Sequence, residues 1–382
     1  MKKLIIPFAF VSALFCTSCN DRENSQTETK VTGNGPVIES EKQKFKIDTL
    51  SATLKNPWGI AFLPDGRVLV TERSGEILIF KDDKLQSETI KVPDVFVHGQ
   101  GGLMDIKLHP NYAENGWIYL SYAKKADNGG GTVIARAKLD GNKLVDLEQL
   151  FAAQPTSDAG VHFGSRIVFD GNGYIFFTIG ERGTKENAQT LANHLGKVHR
   201  LHEDGKVPTD NPFVNQQGAM PEIWSYGHRN PQGLVYDKDS NTLWDIEHGP
   251  KGGDELNLVV KGRNYGWPEI TYGINYDDTP ITDLKEKEGL EQPVHYWVPS
   301  IAPCGMTQVK GNKFANWKDN ILAGALAHTH VARLELQDGK VVSEEKLLDK
   351  IGRVRAVEES PEGYIYVATE TPGMLVRLSP AE

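Results

Sequence analysis

The chemistry in this sequence is carried by a histidine standing just ahead of a strand, two arginines spaced by one residue, and runs in which glycine alternates with Arg, Asn, His, Asp and Glu. His162 lies in Val161-His162-Phe163-Gly164-Ser165-Arg166. The apolar run Ile167-Val168-Phe169 follows, then the turn Asp170-Gly171-Asn172-Gly173 and a second apolar run, Tyr174 to Ile179. An imidazole at the mouth of such a hairpin is exposed and titrates near neutrality, as a proton acceptor must. Arg353 and Arg355 alternate by two, which puts both guanidinium groups on one face of a strand, an arrangement that suits paired carboxylates. The remaining polar runs are Gly99-Gln100-Gly101-Gly102, Glu181-Arg182-Gly183, Gly227 to Gly233, His248 to Glu255 and Arg263 to Pro268. Their residue types are too particular for plain connections.

These groups need a scaffold, and the scaffold is visible as a repeat. A short apolar run, a turn with Pro, Asp, Asn or Gly, and a second apolar run recur six times. The first runs of the six copies are at Trp58–Phe62, Met104–Leu108, Ile167–Phe169, Gly233–Asp237, Met306–Val309 and Val354–Glu359. One copy cannot bury both of its faces. Radial packing of about four strands per copy buries both and leaves only short edges. The expected fold is all-β, a six-bladed β-propeller with long functional loops on one face; Thr184 to Gln217 and Gly249 to Pro299 read as the main insertions. In a propeller the inner strands begin at one end of a central channel, so Gln100, His162, Arg229 and Arg353 should point to a common spot.

Composition narrows the function classes. The 382 residues include 38 glycines, which suits many tight turns. The formal net charge of −9, with no basic cluster to offset it, argues against a nucleic-acid partner. Residues 1–18 read as a secretory signal, with Lys2-Lys3 ahead of an apolar segment too short to span a membrane. The segment ends in Cys16-Thr17-Ser18-Cys19, which resembles a bacterial lipobox and implies lipidation at Cys19. Residues 19–44 read as a disordered tether and 45–382 as the propeller domain. The expected location is the bacterial cell envelope, as an exported lipoprotein whose only membrane contact is its lipid anchor. Of the three cysteines only Cys304 is left in the mature domain, so no internal disulfide forms.

Taken in order from Phe45 to the C-terminus, the polar runs resemble those of the soluble quinoprotein glucose dehydrogenases. They are more similar still to the aldose sugar dehydrogenases of the glucose/sorbosone dehydrogenase family. Those are six-bladed propellers that use pyrroloquinoline quinone (PQQ) and Ca²⁺. The resemblance implies PQQ- and calcium-dependent oxidation of the C1 hydroxyl of aldoses to lactones, with electrons passed to an acceptor that the sequence does not name. It assigns Arg229, Asn230, Tyr276, Arg353 and Arg355 to the cofactor, with Gln100 at its edge. The carbonyls of Gly249 and Pro250 would hold the calcium beside the quinone, and Glu255 and Tyr265 match a second, structural calcium site. His162 becomes the general base and Glu181, at the far end of the same hairpin, its orienting carboxylate.

The sequence departs from the family pattern in two places. A lysine that meets the cofactor in many relatives is absent from Gly324-Ala325-Leu326-Ala327-His328-Thr329-His330. Either His328 or His330 replaces it or cofactor affinity is lower. The aspartate common after the paired arginines is Ala356 here, so their support must differ. Trp297 reads either as a platform for a sugar ring or as a core residue. Two other function classes remain open at this stage: a calcium-dependent propeller hydrolase of lactonase type, which would need carboxylates and Asn side chains around a metal, and a non-catalytic sugar-binding propeller.

Overall fold

Ile175 and Phe177 turn to one side of their strand and Phe176 to the other, and both sides are buried, in different clusters. Leu243 and Trp244 are divided in the same way. A strand that is apolar on both faces needs a sheet packed against each. The computed structural model, which describes residues 35–381, meets that need with six antiparallel sheets arranged as the blades of a propeller. Their innermost strands are Pro57–Phe62, Leu103–Leu108, Ile167–Phe169, Pro231–Asp237, Pro303–Gln308 and Val354–Glu359. Each packs on the next and the last returns to the first. The main apolar clusters lie between neighbouring blades, as where Ala61 and Leu69 of the first meet Ile106 and Ile118 of the second.

The ring is closed by its ends. The sixth sheet runs from Val354–Glu359 through Ile365–Glu370 and Gly373–Pro380 to Lys44–Ser51, and Val37–Glu39 adds a short outer edge. Phe45, fully buried, sits edge-on against Trp317. The expected boundary at residue 44 is therefore too late. Val37 to Glu39 pairs with Lys44 to Lys46, and Ile38 packs on the neighbouring core. The signal segment, Cys19 and most of the tether lie outside the described residues. Among the described residues no helix is long and apolar enough to cross a membrane.

The two long insertions are also shorter than expected. Lys197–His202 is a blade strand within the first, and Asp254–Val259 and His295–Trp297 are strands within the second. Glycine and Asx turns crowd these strands and mask their alternation.

Near the start of the inner strands the channel is crossed by polar groups. Arg166, almost fully buried, donates Nε to the Gln232 carbonyl at 2.7 Å, Nη1 to Asp105 Oδ1 at 3.3 Å and Nη2 to the Arg355 carbonyl at 2.7 Å. Its guanidinium lies 4.0 Å from the centre of the Trp58 ring. This floor divides the channel into two mouths.

Candidate active site

At the mouth where the inner strands begin, His162 and Glu181 meet as a pair. The His162 Nδ1 lies 2.7 Å from Glu181 Oε1. The His162 backbone is left-handed, with φ +55, and its N–H donates to Gln100 Oε1 at 2.9 Å. Gln100 thus grips the loop that presents the base. Glu181 is fixed from the other side, since its N–H donates to the Arg229 carbonyl at 2.9 Å. Gly180 makes this closeness possible: a Cβ there would stand 2.3 Å from the His162 carbonyl oxygen and 2.8 Å from Asn230 Oδ1. Burial holds the imidazole below the usual histidine range; the Glu181 bond pulls it upward and the Arg229 charge pushes it down again. The ring is therefore neutral at pH 7, and Glu181 fixes which nitrogen faces the mouth.

Arg229 is the second anchor. Its N–H donates to Glu247 Oε2 at 2.6 Å, and its Nη1 reaches the carbonyls of His248 and Gly249 at 3.0 and 2.9 Å. Its Nε is buried without a partner, as are Glu181 Oε2 and His248 Nε2. Asn230 Oδ1 accepts the Gly164 N–H at 3.1 Å, which ties the arginine–asparagine pair to the His162 loop. The Gly249 turn is compact. A Cβ on Gly249 would lie 2.3 Å from the Gly253 carbonyl, and Asp254 accepts from Gly249 N, Ile301 N, Ala302 N and Ser300 Oγ at 2.7 to 2.9 Å. Burial raises the Asp254 carboxyl to about 6 against the pull of these donors.

Beneath Arg229 lies a buried acidic face. Asp245 pairs with Asn257 and Glu247 with Glu255 across two antiparallel strands, so all four side chains share one side. His228, Asp245 and Glu247 bring ligand atoms within 4.8 Å of one another. Both Asp245 oxygens and Asn257 Oδ1 are buried without hydrogen-bond partners. Burial and the neighbouring Glu247 raise Asp245 and Glu255 well above the carboxylate range. An oxygen-rich set with surplus negative charge suits a hard divalent cation.

Each expected residue can now be placed. Gln100, His162, Glu181, Arg229 and Asn230 converge, and Arg229, Gly249, Glu255 and Tyr265 line one small cavity. The Gly249 carbonyl already accepts from Arg229, and Pro250 is buried beside it. The Tyr265 hydroxyl donates to the Leu258 carbonyl at 2.5 Å and accepts the Val260 N–H at 2.8 Å, which commits its proton and one lone pair to the backbone. Arg353 and Arg355 do share a face, and their support comes from Glu370 on the adjacent strand, 3.5 Å from Arg353 Nε and 2.8 Å from Arg355 Nε. Arg355 is further held by Gln232 Oε1 at 2.7 Å and Cys304 Sγ at 3.1 Å, so it belongs to the channel floor, whereas Arg353 is half exposed.

Tyr276 is 73 % exposed on its loop and is not gathered into the buried cluster. His328 is exposed at a left-handed turn. His330 is buried, with Lys346 and Glu344 of the blade's outermost strand as its charged neighbours, and so does not fill the lysine's place. The sugar-platform reading of Trp297 is corrected: it packs among Trp244, Leu256 and Ile301, and its Nε1 donates to Glu344 at 3.1 Å. Alternation along His295–Trp297 turns Tyr296 outward instead, where it stacks on Tyr272 at 3.8 Å. The sequence reading missed His228, Asp245, Glu247, Asn257 and Glu370. For Asp245, Glu247 and Asn257 the signal was present as polar residues two apart within otherwise apolar strands, Asn257 with Glu255; His228 and Glu370 carried no such signal.

The family model described as Glucose / Sorbosone dehydrogenase matches residues 54–377. An aldose sugar dehydrogenase of Escherichia coli K12 is 43 % identical over 343 residues, covering 87 % of this chain and 92 % of its own. The crystal structure of the soluble aldose sugar dehydrogenase from Escherichia coli, in the apo-form, superposes with a TM-score of 0.85 at 41 % identity, over 88 % of this chain and 100 % of that one. The structure of the PQQ-bound form of an aldose sugar dehydrogenase from Streptomyces coelicolor gives 0.73 at 26 % identity, over 88 % and 98 %.

Proposed function

The chain belongs to the glucose/sorbosone dehydrogenase family of oxidoreductases, and we propose that it oxidises the C1 hydroxyl of aldose sugars to lactones with PQQ and a divalent cation, calcium by preference. The observation that carries this reading is the convergence of the neutral His162 imidazole and its partner Glu181 with Arg229 and the Gly249 turn at one end of the channel. The residues present fit an anionic cofactor. Arg229 keeps an unpartnered buried Nε, Arg353 is half exposed, and His248 keeps an unpartnered Nε2. Arg229, Asn230 and Arg353 would hold the cofactor's carboxylates and quinone edge, and the Gly249–Pro250 carbonyls the cation. When bound, the quinone supplies a two-electron acceptor for the hydride leaving C1, made more electrophilic by the cation.

The protein's own work is proton transfer and positioning. With Nδ1 held by Glu181, the His162 Nε2 is left to take the proton from the anomeric hydroxyl. The unpartnered Glu181 Oε2 supplies buried negative charge beside the imidazolium that forms. Gln100 fixes the height of the ring by holding its backbone N–H. Tyr276 stays a candidate cofactor contact, exposed on a loop that pairs with Lys251 beside the Gly249–Pro250 turn, and Glu255 with Asp245 and Glu247 would hold a second, structural cation. The hydrolase alternative is less well supported, since arginines crowd the mouth where a catalytic metal would need carboxylates.

We also propose that the chain is exported and lipidated at Cys19, which would place the enzyme at the cell envelope with its electron acceptor. Purified protein supplied with PQQ and Ca²⁺ should change the cofactor's spectrum and reduce a dye when glucose or another aldose is added. No spectral change and no dye reduction would overturn the assignment.

A further inference from the structure

The opposite mouth of the channel, where the inner strands end, holds the larger cavity, about 550 Å³. We propose that it is a second ligand site, and that it takes a neutral polyhydroxylated molecule, a saccharide or polyol. The Arg166–Asp105 floor separates it from His162, so it is not a deeper part of the active site. Its size lies within the range of about 300–1,000 Å³ usual for small-molecule sites.

The lining indicates the class of ligand. Lys107 of the second blade is paired with Glu358 of the sixth, and Lys310 gathers Asp237, Asp239 and Asp319. With Lys238 and Lys318 the lining carries four ammonium groups; Glu358 and Asp239 are the carboxylates that line it with them, and Asp237 and Asp319, outside the lining, are paired with Lys310. Counted with these partners of Lys310, the charges of the mouth balance and leave no surplus with which to select an ion. The mouth does offer donors and acceptors side by side, which is what adjacent hydroxyl groups require. Gln308 adds a specific vacancy: its Nε2 donates to the Asp319 carbonyl at 3.2 Å, while its buried Oε1 has no donor. A ligand hydroxyl would supply one. The same cavity is also lined by Val168, Leu234, Met306 and Tyr236, apolar surface for the C–H face of a sugar ring.

Methionine placement supplies the test. Met306 lines this cavity, whereas Met104 packs with Trp58 and Phe163 on the His162 side. In the full chain without cofactor, labelled with ¹³C-methyl methionine, titration with methyl α-glucoside should move the Met306 resonance to saturation at concentrations on the order of 1–100 mM. That sugar has no free C1 hydroxyl to oxidise. The paired variant Lys107→Met/Glu358→Gln, and separately Gln308→Leu, should weaken the response about tenfold or more. An unmoved Met306 in the wild-type titration overturns the proposal, whatever the variants do. So does a Met306 that responds to inorganic phosphate and not to the glucoside, which would mark an anion site. The cofactor plays no part here, so a missing Met306 response and a failed reconstitution of dehydrogenase activity are separate results.

Discussion

At the His162 mouth the inner strands begin, and four of the six are preceded by a loop that carries one of Gln100, His162, Arg229 and Arg353. At the other mouth the same strands end, and most polar groups there are matched in ion pairs. The first mouth keeps Glu181 Oε2, Arg229 Nε, His248 Nε2 and the Nε and Nη1 of Arg182 buried without partners, with both Asp245 oxygens beneath; among the described residues that line the second, only Gln308 Oε1 is left so. A buried polar atom without a partner costs about 1–3 kcal/mol. The scaffold therefore concentrates unmet hydrogen-bonding capacity at one end, where a charged cofactor and a cation would satisfy it. The strands supply aim and the preceding loops supply chemistry.

The contrast is broken or sharpened first at the cofactor anchors. Arg229→Gln should weaken PQQ binding about 10- to 100-fold, the worth of one charged hydrogen-bonding partner, measured by absorbance titration of the purified protein. Next comes the pair at the base. Glu181→Gln should lower kcat about 100-fold while the cofactor still binds. In the wild type the acid limb of kcat/KM should fall below about 6.5, because burial lowers His162. In Glu181→Gln it should fall lower still, since Glu181 raises the imidazole. An acid limb that moves upward would contradict the pairing.

The acidic face gives a smaller effect, read in stability. A bound divalent cation should raise Tm by about 5 °C, and chelation should reverse it. The variant Asp245→Asn/Glu247→Gln should lose that response. The sign with pH follows from the raised carboxyls of Asp245 and Glu255. In chelated protein the native state keeps protons that the unfolded chain releases near pH 4, so stability falls as pH rises from about 4 through the raised values. A bound cation should flatten that slope. The smallest effect is expected at the far mouth: Lys107→Met/Glu358→Gln should leave kcat and KM within about twofold and stability within about 1 kcal/mol, because both charges leave together. A tenfold loss of activity would show the two mouths coupled through the Asp105–Arg166 floor.

Much of this was legible in the sequence. The six apolar pairs and the turns between them mark the blades, because a two-residue period is a local property of the chain. The convergence of Gln100, His162 and Arg229 followed from their common position ahead of an inner strand. What stayed hidden depends on register between strands. Asp245, Glu247, Glu255 and Asn257 become one surface only when two strands pair in a particular alignment, and Glu370 reaches the arginines only across such a pair. Trp297 is buried because its strand alternates one way and not the other, and nothing local fixes that choice. The strand at Val37–Glu39 was hidden in polar surroundings, since its partner stands beyond a turn and its core contact comes from another blade.

The proposed sugar oxidation depends on His162 as its base, and rapid mixing tests that role directly. His162→Asn protein loaded with PQQ and Ca²⁺ is mixed with glucose without oxygen, and cofactor reduction is followed by its absorbance. Binding of the cofactor should be unchanged and the reduction rate should drop about 10²- to 10⁴-fold against wild type. Reduction at the wild-type rate would contradict the role of His162 and the reading built on it.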